Sequence, residues 1–233
     1  MMKKLNYIFV LLSLCMVTSV SAQSVKPQEA TMDDYLPLLQ ASGYQVYSFD
    51  ISEFLDDTYH FSFKIKEYVN REEVQGNHRA FNLENRMMIA DFPEESQKKI
   101  LVKGSAEDAE KGIYKQAKKL VIGFIPSKVD STQSVRMGLE GMGEMSQNLK
   151  LKPLKSPDSD KTFYHYENRP FTIDQFEEGK FIPLVFFASY WLDEEYGFFR
   201  FCGAREVSPT LESEYVEETP HFYVIGIEIN KKK

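Results

Sequence analysis

Apolar residues return at every second position through much of this chain. Phe61, Phe63 and Ile65 alternate with His60, Ser62, Lys64 and Lys66, while Tyr223, Ile225, Ile227 and Ile229 share one side of a segment whose other side carries Gly226. A strand sends successive side chains to opposite faces, so a period of two describes half-buried β-strands. The same spacing joins Gln45, Tyr47, Phe49 and Ile51, residues 86–92 read as a further strand, and residues 120–125 form a compact apolar strand closed by Pro126. Helical signals are few. Thr31 has Asp34 three residues on, an acidic form of the capping box, and Tyr35, Leu36, Leu38 and Leu39 follow with Gly43 as a stop, which predicts a short helix over 32–41 despite Pro37. Ser105 and Asp108 are placed to cap one or two further turns. A doubly wound α/β fold needs regular amphipathic crossovers, and none is present. The expected fold class is mainly β, an antiparallel β-sandwich or open barrel with a few short peripheral helices.

The strongest apolar run lies near the C-terminus. Residues 181–192 are apolar on both faces, residues 193–197 (Asp-Glu-Glu-Tyr-Gly) read as a five-residue turn, and residues 198–203 return, which predicts a long hairpin at the middle of a sheet. A symmetric turn then pairs Trp191 with Phe199 and Tyr190 with Arg200. Residues 127–161 are less patterned, with Gly138, Gly141 and Gly143 among Met137, Leu139, Met142 and Met145, consistent with an irregular strand or a mobile loop. Residues 155–161 read as a surface turn.

The first residues read as a leader. Lys3 and Lys4 precede an apolar stretch from Leu5 to Val17, and Val20-Ser21-Ala22 is a small-residue cleavage site, so residues 1–22 are expected to be a signal peptide cut between Ala22 and Gln23. Lipoprotein processing at Cys15 is disfavoured because Leu14, not a small residue, precedes it. Residues 23–30 are a polar lead-in and 31–233 a single mainly-β domain. Losing Lys3 and Lys4 takes the formal charge from −7 to −9, and the chain has no basic stripe beyond Lys231-Lys232-Lys233, which argues against nucleic acid and acidic membrane surfaces. No apolar run after the leader is long enough to span a bilayer. Cys202 is the only thiol left, so no intramolecular disulfide supports the fold.

No catalytic signature is present: no Gly-rich phosphate loop, no His-Glu-x-x-His, no Gly-x-Ser-x-Gly and no cysteine pair at zinc spacing. His60 and His221 both begin strands and make a shared metal site conceivable, but strand-end histidines are far more often surface residues, and no metal or cofactor is expected. Cys202, mid-strand and remote from any helix start, reads as a buried inert thiol. The acidic groups at Asp50 to Asp57, at Asp158 and Asp160, and at Asp193 to Glu195 lack a calcium-loop pattern and read as solvated turns. Aromatic residues are the remaining candidates for ligand contact: Tyr164, Tyr166, Trp191 and Tyr196. Tyr164 and Tyr166 share one side of any strand through Phe163 and precede an Arg169-Pro170 break. Trp191, set opposite Phe199, is expected to be buried, and Tyr196, at the hairpin tip, exposed.

The leader ending Ser-Ala-Gln, the segment 43–52 (Gly-Tyr-Gln-Val-Tyr-Ser-Phe-Asp-Ile-Ser), the following 60–69 (His-Phe-Ser-Phe-Lys-Ile-Lys-Glu-Tyr-Val) and the Phe-Arg-Phe-Cys-Gly of 199–203 resemble secreted proteins of gut Bacteroidetes belonging to a domain-of-unknown-function family. The resemblance spans most of the mature chain and transfers no catalytic residues. It implies an exported protein of the periplasm, outer surface or extracellular space. Asp130-Ser131-Thr132 also looks like the short sequence those bacteria O-glycosylate, which implies modification at Ser131 or Thr132.

Taken together, these features lead to the expectation of an exported, non-catalytic β-domain that binds a glycan or another envelope protein. Two alternatives stand beside it: a hydrolase of envelope or dietary polysaccharide built on two carboxylates, and a structural subunit that pairs through a sheet edge.

Overall fold

The computed structural model describes residues 28–75, 80–155, 160–173, 176–201 and 203–233. The chain divides into two compact units, Met1–Pro37 and Leu38–Lys233. Thr31 opens the predicted helix, which spans Met32–Ala41: the Asp34 carboxylate accepts the Thr31 N–H at 2.7 Å and the Thr31 hydroxyl at 2.9 Å. The helix stops where Gly43 takes φ +86°, its N–H donating to the Gln40 carbonyl.

Among the described residues, sixteen strands follow in the second unit: β1 (Gln45–Asp50), β2 (Tyr59–Val69), β3 (Glu72–Glu73), β4 (Phe81–Glu84), β5 (Arg86–Met88), β6 (Ile113–Gln116), β7 (Lys119–Ile125), β8 (Thr132–Leu139), β9 (Gly143–Lys150), β10 (Leu154–Lys155), β11 (Thr162–Phe163), β12 (Tyr166–Pro170), β13 (Phe181–Ser189), β14 (Trp191–Asp193), β15 (Phe198–Arg200) and β16 (His221–Lys231). One antiparallel sheet has the order β1-β7-β8-β9; the other runs β12-β13-β16-β2, with β3 and β4 both pairing with β2. Neither closes into a barrel.

The alternation read from the sequence decides which faces meet. Leu120, Ile122 and Phe124 of β7 and Val135, Met137 and Leu139 of β8 pack against Phe61, Phe63 and Ile65 of β2 and Tyr223, Ile225, Ile227 and Ile229 of β16 in one continuous core. The result is a β-sandwich. Residues 181–189 are apolar on both faces because β13 serves two cores. Val185 and Phe187 face the sandwich interior, whereas Phe186 and Ala188 face a second cluster with Phe222, Val224, Phe171, Val207 and Val216, the last on a short helix, Glu214–Glu218.

Several sequence expectations need correction. The hairpin of residues 181–203 does not run through a sheet centre: β13 ends at Ser189, its neighbours are β12 and β16, and β14 and β15 form a separate two-stranded ribbon. Its register is Trp191 with Arg200, Leu192 with Phe199 and Asp193 with Phe198, so Trp191 does not face Phe199, nor Tyr190 Arg200. Asp193 joins the ladder, the loop shortens to four residues, and Gly197 at φ +69° donates its N–H to the Asp193 carbonyl at 2.8 Å. A loop one residue shorter shifts the register by one and flips the facing partners. The glycine-rich stretch is a regular hairpin, β8 with β9: Gly141 turns at φ +72°, and Gly138 lacks a Cβ that would sit 2.3 Å from the Gly143 carbonyl oxygen. Strand character in 86–92 ends at Met88, because the Asp91 carboxylate takes the Met88 N–H at 2.8 Å and winds residues Ile89–Asp91 into a 3-10 turn. Arg169 and Pro170 are the last two residues of β12, so the strand ends at the expected break; β12 is an edge strand, where the missing proline N–H costs no ladder bond.

Candidate functional site

Two short ladders deliver the aromatic candidates to the surface. Leu154 pairs with Phe163 and Lys155 with Thr162, so β11 hands Tyr164 and His165 directly to the start of β12 at Tyr166. Opposite them lies the turn from Ser127 to Gln133. Its geometry is tied internally: the Ser127 hydroxyl accepts the Val129 N–H at 3.1 Å and meets the Thr132 hydroxyl at 2.7 Å, Thr132 donates to the Val129 carbonyl, and Gln133 Nε2 donates to the Ile125 carbonyl at 2.8 Å. Between turn and ladder runs a groove of about 390 Å³, with Asp130 and Thr132 on one side and Phe163, Tyr164, His165 and Tyr166 on the other. Grooves of this size hold small ligands or single sugar rings.

Behind the groove the Tyr166 hydroxyl enters the sheet interior. Its oxygen accepts the Lys152 N–H at 2.9 Å, and the hydroxyl is hydrogen-bonded to Nδ1 of His221, whose Nε2 lies 3.0 Å from Glu67 Oε1. His221 is 1% exposed. The Glu67 carboxylate only accepts, so Nε2 of the neutral imidazole carries the proton and donates to it, and Nδ1 accepts the Tyr166 O–H. Burial pushes the Tyr166 phenol well above its ordinary value, reinforced by the Glu67 charge and opposed by the Lys152 N–H and the Ser189 hydroxyl. Burial likewise lowers His221 below the usual imidazole value, against the stabilising pull of Glu67. Tyr223, beside His221 with ring centroids 5.0 Å apart, donates to the Lys150 carbonyl at 2.8 Å, and burial raises it too.

A second groove lies around the β14–β15 ribbon, lined by Trp191, Asp193, Glu194, Glu195, Tyr196, Arg200 and Glu218. Arg200 organises it. Its Nε is 2.8 Å from Asp193 Oδ2, and its guanidinium lies 5.1 Å from the ring centroids of both Tyr196 and Phe198. A chain of ring contacts connects the two grooves: Phe199 to Phe163 (5.2 Å), Phe163 to His165 (5.1 Å), His165 to Tyr190 (5.7 Å) and Tyr190 to Phe201 (5.2 Å).

The candidates therefore fall into two pairs. Tyr164 and Tyr166 come together with Thr132 and Asp130 in the first groove; Trp191 and Tyr196 line the second. Tyr196 is exposed, at 61%. Trp191 is half-buried and not enclosed as expected, because β14 lies outside the main sheet and opposes Arg200. Ser131 sits half-exposed in the turn, and the Thr132 hydroxyl is engaged by Val129 and Ser127. The shared His60–His221 metal site is ruled out by topology. β2 and β16 are antiparallel, so His60 pairs with Asn230 and His221 with Val69 at opposite ends of the ladder. Among the described residues, no three His, Cys, Asp or Glu side chains could hold a common metal ion, and no helix is long and apolar enough to cross a membrane. Cys202, Ala22, Gln23 and Asp158 lie outside the described residues.

Glu67, Ser189 and the role of His221 escaped the sequence reading, although a signal existed. Glu67 continues the inward series Phe61, Phe63, Ile65, and His221 the series of Tyr223 and Ile225; a polar residue at an inward position of a period-two strand marks a buried polar cluster.

Neither the curated proteins nor the solved structures contain a match to this sequence. One family model does match, over residues 14–231, and its description is a domain of unknown function. The chain belongs to that family, DUF5041.

Proposed function

We propose that the chain is an exported, non-catalytic binding domain that holds a glycan in the groove between residues 127–133 and 163–166. The observation that carries this reading is the meeting of planar rings with fixed polar groups: Tyr164, His165 and Tyr166 stand across from Asp130 and Thr132 on a turn held by its own hydrogen bonds. Sugars are recognised in this way, ring faces stacking on C–H groups while hydroxyls meet carboxylate and hydroxyl oxygens. A formal charge of −7 for the whole chain disfavours polyanionic ligands. The test is a glycan array followed by calorimetry on the hits. Binding that drops at least tenfold in Tyr164→Ala, with an unchanged melting temperature, supports the reading. A chain that binds no glycan, or a Tyr164→Ala variant that binds equally well, overturns it; envelope-protein capture through the same groove would then replace it.

The second groove favours a second reading, a carboxylate-based hydrolase, because Asp193, Glu194, Glu195 and Glu218 line it beside Trp191 and Tyr196. Release of reducing ends from a polysaccharide panel, abolished in Asp193→Asn, would support it, and no release from any substrate would discard it.

A further inference from the structure

The chain is acidic overall, at −7, yet the rim of the first groove is not. Residues 127–133 and 150–166, from which the groove lining is drawn, carry five lysines and three aspartates. Four of the lysines adjoin the lining directly. Lys128 lies between Ser127 and Val129, Lys150 and Lys152 flank Leu151, and Lys155 pairs with Thr162 across the β10–β11 ladder. All four are exposed, and none is held in an ion pair among the described residues; Lys161, the fifth, is already engaged. Charges of one sign gathered at the mouth of a groove focus their field on whatever enters it. The second groove has the opposite character, with Asp193, Glu194, Glu195 and Glu218 around Arg200.

Lys150 and Lys152 are the best placed of the four. Lys150 is the register partner of Thr132, so its side chain leaves the sheet on the same face, directly beside a residue of the groove. The backbone that carries the two lysines is pinned on both sides of Leu151. The Lys150 carbonyl accepts the Tyr223 hydroxyl at 2.8 Å, the Lys152 N–H donates to the Tyr166 oxygen at 2.9 Å, and the Leu151 N–H donates to the Ser131 carbonyl at 2.9 Å. The Lys152 charge reaches the buried His221 behind Tyr166 and opposes its protonation. Two ammonium groups therefore stand on a fixed backbone at the base of the turn, next to the row of rings.

We propose that the sugar held in this groove is an acidic one, whose carboxylate or sulfate ester is bound by Lys150 and Lys152 while its ring lies on Tyr164 and Tyr166. The inference rests on the groove being a glycan site. A lysine ammonium acts as a mobile point charge with three donors, which suits a carboxylate and a sulfate alike. Asp130, within the turn, repels an anion and accepts from sugar hydroxyls, so the acidic group is directed to the base of the turn, where the lysines are. A short oligosaccharide with one such group in the groove meets this patch alone, whereas a long polyanion would also meet the acidic remainder of the chain.

The experiment is an array of uronic-acid and sulfated oligosaccharides, each beside its carboxyl-reduced or desulfated counterpart, probed with the full chain and followed by calorimetry. The acidic forms are expected to bind about tenfold more tightly than their neutral counterparts, as one or two charge-assisted contacts provide. That difference shrinks as salt rises. In the double variant Lys150→Gln, Lys152→Gln the acidic form falls to the level of its counterpart, while neutral binding and the melting temperature hold. The same change at Lys98 and Lys99, which are exposed and do not adjoin the groove lining, leaves the preference intact. Preference for the carboxylated members identifies a uronic acid, and preference for the sulfated members a sulfate ester. Neutral counterparts that bind as tightly as the acidic forms, or a preference that survives in the Lys150 and Lys152 variant, overturn this inference and leave the glycan reading standing. A chain that binds no member, acidic or neutral, overturns both.

Discussion

Tyr47 of β1 donates its hydroxyl to Asn168 Oδ1 of β12 at 2.5 Å, a bond that ties one sheet of the sandwich to the edge strand of the other across 121 residues of sequence. Asn168 is 6% exposed, and the Tyr47 phenol is raised above its ordinary value, chiefly by burial. Tyr47→Phe keeps the ring and its edge contact with Phe124 and removes only the donor. The Asn168 oxygen is then left buried without it, which costs about 1–3 kcal/mol. Urea denaturation should show the midpoint falling with an unchanged slope; an unaltered midpoint would mean that solvent replaces the bond.

Two strand glycines are expected to respond in opposite directions. A Cβ on Gly226, mid-β16, would lie 2.3 Å from the Ile182 carbonyl oxygen and 2.7 Å from the Phe181 ring, so Gly226→Ala must push β13 and β16 apart. The expected loss is about 1–3 kcal/mol. A Cβ on Gly123 meets nothing nearer than 4.0 Å, and Gly123→Ala should gain roughly 0.5–1 kcal/mol by restricting the unfolded chain. Thermal melts of the two variants side by side decide the matter, and equal shifts would count against close strand approach at Gly226.

Period-two alternation made the sandwich readable because Phe61, Phe63 and Ile65 of β2, Leu120, Ile122 and Phe124 of β7 and Tyr223, Ile225, Ile227 and Ile229 of β16 are apolar and share the inward face, and the two ends of the first helix announced themselves through Thr31, Asp34 and Gly43. Loop parity was not readable. Whether Asp193 belongs to the turn or to the ladder depends on one hydrogen bond from Gly197, and that single choice reversed the partners of Trp191. The first groove was half legible: Tyr164 and Tyr166 stood out as aromatics, but the turn that completes their site lies more than 30 residues upstream and meets them only through strand pairing. The buried cluster of Glu67, Ser189 and His221 stayed hidden for the same reason, since its members come from three strands scattered along the chain.

Alkaline titration probes the phenols on the other face of the large sheet and near its edge. Tyr190 is pushed up to about 12 by burial and then by its bond to the Glu167 carboxylate at 2.6 Å; Tyr68, stacked on Phe222, is pushed up to about 12 by burial and then by Glu73. A raised folded value means that the unfolded chain gives up these protons first. Their contribution to stability is complete below pH 10 and is lost as the pH rises towards 12. Ultraviolet titration of the native chain should therefore show late-ionising tyrosines, and Glu167→Gln should bring Tyr190 forward. If the whole tyrosine complement ionises near pH 10, the packing of both rings is wrong.

Trp191 is the only tryptophan in the chain, so its fluorescence reports the β14–β15 ribbon alone. Gly197 holds that ribbon's register by adopting φ +69° and donating to the Asp193 carbonyl. An alanine at this position pays about 1–2 kcal/mol for the left-handed backbone, a cost that falls on the ribbon and not on the sheets. In Gly197→Ala, acrylamide should quench Trp191 more readily, and the amides of Leu192 and Phe199 should exchange faster, while those of β13 and β16 keep their protection. If the ribbon instead slipped by one residue, Trp191 would come to face Phe199 and its emission would shift to the blue. A red shift with easier quenching identifies a frayed ribbon of the observed register, and a blue shift a re-registered one, so one spectrum separates loss of the turn from a change in its parity.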